Sequence, residues 1–133
     1  MEVLASGRTA EGEHWQLITE AQSLGRYLGV DVTSPEGRQY WATGCMLDGG
    51  PPSAPSVLTV GGDDDGPVTV ILHLRPDVRA VVVHLSDGTR EDLRVHPLPG
   101  RPDRAAALVH PRRLDVHRID LYDAGGARFP DPG

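Results

Sequence analysis

The stretch RAVVVHLSDGTREDLRVHP, residues 79–97, decides the fold class. An alternating Val/Leu run, an Asp-Gly turn and a second alternating run make the strongest short-range signal for a β-hairpin. Residues that face each other across an antiparallel pair have position numbers with a constant sum, so the loop length sets the register. A two-residue loop would put Val81, Val83 and Leu85 opposite Arg94, Asp92 and Arg90. A three-residue loop of Ser86, Asp87 and Gly88, with Gly88 left-handed, instead puts Val81 opposite Leu93 and Leu85 opposite Thr89. That register gathers Val81, Val83, Leu85, Leu93 and Val95 on one buried face, and it is the one expected. His84 then faces Arg90 on the solvent side. His96 faces Val78, six positions further along, and at ~3.3 Å per residue the two histidines are roughly 20 Å apart. A single zinc ion, with bonds of about 2 Å to imidazole nitrogen, cannot span that gap. Both histidines are expected to be exposed strand residues.

Upstream of the hairpin, PVTVILHL turns Val68, Val70, Leu72 and Leu74 inward and is followed by a Pro76-Asp77 turn. HWQLITEA and RYLGVDVT form two strands of a first meander, with Leu28, Val30 and Val32 on one face. GRQYWATGCML supplies the third, and Gly44 within it suggests a bulge or bend. VLTV, residues 57–60, reads as a short edge strand between two loops, DGGPPSAPS and GGDDDGP. Downstream, DRAAALVH could be a short helix capped by Asp103. Fewer than ten residues make a marginal helix, so a strand is expected. VHRIDLYD is the last strand, with Ile119 and Leu121 inward. Seven to nine short strands at near-regular spacing, with little or no helix, predict an all-β, antiparallel sandwich of Ig-like type over residues 1–133.

Three pieces, Gly12 with HWQL, RPDVRAVVVHLSDG and IDLYDAGG, together resemble small, uncharacterised Ig-like β-sandwich domains of actinobacteria. The resemblance implies the sandwich fold and a cytosolic or regulator-associated setting. It implies no catalytic residue. The Cys pair with an intervening Trp that marks antibody-type domains is missing.

The 133 residues suffice to bury one core without metal or disulfide staples, and the single Cys45 excludes an intrachain disulfide. No apolar segment after Met1 reads as a signal peptide or membrane span, so a cytoplasmic chain is expected. All thirteen basic residues are Arg. A net charge of −6 argues against nucleic acid as a partner, because phosphate binding depends on clustered cations. The charge is uneven, however. Residues 94–118 carry six Arg against Asp103 and Asp115, a net +4, which leaves −10 for the rest. Such a split favours a protein partner or self-association as a homo-oligomer, and Arg104, Arg112, Arg113 and Arg118 are the expected partner-binding residues.

Few residues suggest chemistry. Cys45 has no neighbouring base in the sequence, and a reduced thiol packed in or near the core beside Trp41 is expected. The Asp63-Asp64-Asp65 run lacks the alternating ligands and distant Glu of a calcium loop, and reads as a solvated loop. If PRRL is a tight loop between antiparallel strands, His110 opposes Asp115 and His117 lies one diagonal away, about 7 Å between backbones. Those three could close on a zinc ion, although Arg112 and Arg113 would repel it. The sequence therefore predicts a non-catalytic interaction or structural module without cofactor. The alternative is a small-ligand or zinc-dependent enzyme built on His110, Asp115 and His117.

Overall fold

The computed structural model of the chain describes residues 1–23, 25–47, 50–62, 67–111 and 114–130. They form eleven strands and no helix. In chain order these are β1 (Glu2–Arg8), β2 (His14–Gln22), β3 (Gly25–Thr33), β4 (Gln39–Leu47), β5 (Ser56–Gly62), β6 (Val68–Leu74), β7 (Ala80–Leu85), β8 (Arg90–Leu93), β9 (His96–Pro97), β10 (Arg104–His110) and β11 (Val116–Tyr122). Three sheets result, with strand orders β1-β2-β3-β4, β5-β6-β10-β9 and β11-β7-β8. The all-β, antiparallel architecture is thus established. The two strands without a signal in the sequence are β1 and β9. The chain divides into two compact units, residues 1–50, 58–71 and 107–113 in one, and 51–57, 72–106 and 114–133 in the other.

In the first unit the β1-β2-β3-β4 sheet is a meander. Its pairing sets Leu17 opposite Val30 and Thr19 opposite Leu28, so one face carries Leu17, Thr19, Leu28, Val30 and Val32, all buried. Each fully buried Leu or Val contributes about 1.5–3 kcal/mol. Thr19 is tolerated there because its hydroxyl donates to the Tyr27 carbonyl at 2.9 Å. On the opposite face Gly29 pairs directly with Gly44, and the Tyr27 ring lies across both. A Cβ at Gly44 would stand 2.2 Å from the Tyr27 hydroxyl. Gly44 is therefore a seat for an aromatic ring, not the bend expected from sequence; the register irregularity falls between Val32 and Thr33. Burial first, then Asp31 and Cys45, push the Tyr27 phenol above its ordinary pKa.

In the second unit β7 is the central strand of the β11-β7-β8 sheet. The hairpin has the expected register, Val81 opposite Leu93 and His84 opposite Arg90. Leu85 N–H donates to the Thr89 carbonyl at 2.9 Å, and Gly88 holds φ +88°, as a three-residue loop requires. Val81, Val83 and Leu85 are buried, while Leu93 and Val95 are only half-buried. The second strand stops at Leu93, however. His96 pairs with Ala105 of β10 across a tight loop in which Leu98 N–H donates to the Asp103 carbonyl. His96 is thus half-buried in another sheet, not an exposed hairpin residue opposite Val78.

β5, β6 and β10 contribute residues to both units. All seven residues of β6 are buried, including Thr69, Ile71 and His73, where alternation predicted only every second one. An interior strand covered on both faces has no solvent side, and its near-continuous apolar run, VTVILHL, records that.

Candidate functional site

The tripeptide Arg-x-Asp occurs five times, at Arg75, Arg90, Arg101, Arg113 and Arg118. On a strand, residues two apart point the same way, so Arg90 and Arg118 can reach their own Asp. Arg75 and Arg101 instead stand in turns that bring the Asp two residues on within reach. All four pairs among the described residues form: Arg75–Asp77 at 2.6 Å, Arg90–Asp92 at 3.4 Å, Arg101–Asp103 at 2.7 Å and Arg118–Asp120 at 3.0 Å. Two of them recruit a distant histidine. Both of these lie in the second unit.

The first cluster is buried. Asp103, at the end of the β9–β10 loop, has no exposed side-chain surface. Arg101 Nε donates to both its oxygens, at 2.9 and 3.2 Å, and Nη2 adds a bond of 2.7 Å. His73 Nε2, from β6, meets Oδ2 at 2.5 Å. A carboxylate only accepts, so Nε2 carries the proton. Burial, the largest influence on Asp103, raises its pKa, but the bonds from Arg101 and His73 outweigh it and hold the carboxyl below its ordinary value.

The second cluster opens to solvent. Asp120 of β11 is buried, yet its partners are not: the Arg118 and Arg128 side chains are 55% and 45% exposed. His84 Nε2 lies 2.9 Å and Arg118 Nη2 3.0 Å from Oδ2, and Arg128 Nη1 lies 3.3 Å from Oδ1. Burial again acts to raise the Asp120 pKa, and His84, Arg118 and Arg128 together lower it. His84 is thus half-buried and hydrogen-bonded to Asp120, not the exposed strand residue expected from sequence. The pairing of β11 with β7 sets Arg118 opposite His84, and that of β7 with β8 sets His84 opposite Arg90. Arg118, His84 and Arg90 therefore form one row across the sheet, with Asp120, Val82 and Asp92 in the next. Neither His73 nor His84 is hydrogen-bonded to a serine, threonine or cysteine among the described residues.

The strand pairing that would gather His110, Asp115 and His117 does not form. β10 belongs to the β5-β6-β10-β9 sheet, whereas β11 pairs with β7. Asp115 and Ser86 are joined by two hydrogen bonds, and His117 sits exposed at a register irregularity between Val116 and Arg118. Among the described residues no group of three His, Cys, Asp or Glu side chains could hold a metal ion. Of the expected partner-binding arginines, Arg118 belongs to the open cluster. Arg104 is half-buried and donates Nε to the Pro76 carbonyl at 3.3 Å. Arg112, Arg113 and the Asp63–Asp65 run lie outside the described residues. Cys45 is half-buried on β4, opposite Leu28; the Trp41 side chain expected beside it lies outside what is described.

A second candidate surface is the outer edge of β5, whose residues 58–62 belong to the first unit. Among the described residues β5 pairs only with β6. A Cβ at Gly61 would meet the Thr43 side chain at 2.3 Å, so the Gly61 side of the strand is turned toward β4. By alternation Leu58 and Val60 point the other way, and they are 42% and 47% exposed. Other strand ends are protected differently. β1 has an irregularity between Val3 and Ala5, β9 has two residues, and Phe129 N–H donates to the Leu121 carbonyl along β11. No protein-family model, curated protein or solved structure matches the chain. No helix among the described residues is long and apolar enough to cross a membrane.

Proposed function

We propose that this chain is a non-catalytic interaction module that joins a second copy of itself along β5. The observation that carries the reading is the outward Leu58–Val60 pair on a strand whose outer edge is unpaired among the described residues. Such an edge offers a row of backbone donors and acceptors to another chain. Residues 58–62, LTVGG, contain no charge and no Pro, and the chain has no Lys with which to blunt an edge. Two identical strands meeting about a two-fold axis therefore oppose no like charges and stack Leu58 and Val60 on their counterparts.

The experiment is sedimentation velocity over a concentration series at low and high salt. The wild type should form a dimer that persists in high salt, because apolar contacts and backbone hydrogen bonds are not screened as exposed ion pairs are. Leu58→Lys and Val60→Lys should each give monomer with unchanged circular dichroism. A dimer that dissolves in salt would instead point to the uneven charge of residues 94–118. A wild type that stays monomeric at every concentration would overturn the reading.

A further inference from the structure

We propose that the solvent face of the β11-β7-β8 sheet is a second, separate docking surface, one that takes an acidic segment of a partner protein on the row Arg118–His84–Arg90. Three observations carry it. The row is fixed by register: each member stands on a different strand and directly opposite the next. With neighbouring strands ~4.8 Å apart, the Arg90 and Arg118 backbones are about 10 Å apart. The outer members also present their guanidinium groups to solvent, Arg90 being 64% and Arg118 55% exposed. Each reaches its own aspartate through Nη2 alone. A guanidinium has five N–H donors, so an incoming carboxylate can be bound without breaking either pair.

The charge balance selects the sign of the partner. Arg90, Arg118 and Arg128 bring three positive charges, and Asp92 and Asp120 two negative ones, which leaves the face net positive in a chain of net −6. Asp120 does not oppose an anion as a free carboxylate would. It is buried beneath His84, Arg118 and Arg128 and ties them in place, so the cations rather than the aspartate meet an incoming group. His84 is positioned by that bond between the two arginines.

The form of the surface selects the partner's class. The face is built from three adjacent strands, which suits an extended segment laid across them. Carboxylates at alternate positions of an extended peptide are ~7 Å apart on one side, within the joint reach of two Arg side chains anchored about 10 Å apart. Guanidinium forks match carboxylates in geometry as well as charge. This surface shares no residue with the β5 edge.

The test is fluorescence anisotropy of the full chain with a labelled hexaglutamate peptide at low salt, with inorganic phosphate and a short single-stranded DNA as competitors. Saturable binding that weakens as salt rises is expected. Arg118→Glu and Arg90→Glu should each weaken it about tenfold, and Arg118→Gln should weaken it by a smaller factor. Arg8→Glu, a reversal on β1 with the same change in net charge, should leave it within twofold. Thermal melts of each variant show whether it is folded, and the glutamine variant serves if a reversal unfolds the chain. Equal loss in Arg8→Glu, or no binding by the folded wild type, would overturn the proposal. Displacement by the DNA at concentrations where phosphate is inert would also overturn it, assigning the face to nucleic acid.

Discussion

Two clusters in this molecule are made from the same three residue types, and burial separates what each can do. Arg101, Asp103 and His73 form a closed set in which the carboxylate is completely covered and the arginine side chain is 18% exposed. Arg118, Asp120 and His84, with Arg128, form an open set whose carboxylate is covered but whose arginines reach solvent. In the closed set every charge is committed to holding the β9–β10 loop against β6. In the open set the same pairing leaves guanidinium surface over. One chemical pattern thus serves as a fastener where water is excluded and leaves cationic surface to solvent where it is not.

The largest expected effect lies in the closed cluster. Asp103→Asn leaves Arg101 and His73 without their anion in a water-poor site and should cost about 3 kcal/mol of stability, read from urea denaturation. Asp120→Asn should cost clearly less, because water can take over Arg118 and Arg128. Equal losses would erase the distinction between the two sets. The arginines sharpen it further. Arg101→Lys removes a fork that grips both oxygens of a buried carboxylate and should destabilise by about 1.5 kcal/mol. Arg118→Lys should leave the melting temperature unchanged while weakening the binding of acidic peptide.

Acid should act on both sets through their aspartates. Each carboxyl is held below its ordinary pKa in the folded chain, so it contributes stability above about pH 3.8 and loses that contribution as pH falls through the folded value. Asp103→Asn should therefore flatten the acid limb of a stability-against-pH curve more than Asp120→Asn does. His96 offers the smallest effect and a contrast, a histidine with no aspartate in these clusters. Burial, and then Arg94, lower its pKa, so the unfolded chain takes up a proton more readily. Stability should rise with pH from the lowered folded value up to about 6.5, and His96→Gln should remove that shallow slope.

Much of the first-order structure was legible. The Ser86-Asp87-Gly88 loop could be chosen over a two-residue turn because only one choice keeps Val81, Val83 and Leu85 away from charge. The clusters were less legible, yet not invisible. The recurring Arg-x-Asp names each arginine and its aspartate, on strands at Arg90 and Arg118 and in Arg-Pro-Asp turns at Arg75 and Arg101. Proximity in sequence instead groups His110, Asp115 and His117. That grouping failed because β11 crosses to pair with β7, while β10 stays in another sheet.

The sequence by itself determined what acts over short distances: the all-β class, the hairpin register, and which arginine can reach which aspartate two residues away. Tertiary structure alone decided which histidine joins each pair, since His73 and Asp103 are 30 positions apart and His84 and Asp120 are 36. It also decided that β6 is covered on both faces, that the chain leaves one sheet at Leu93 and enters another at His96, and that one cluster is sealed and the other open. The physical reason is that side-chain alternation and turn chemistry are properties of a few consecutive residues. Partner choice among non-adjacent strands is a property of the whole set of faces to be buried, and no local pattern contains it.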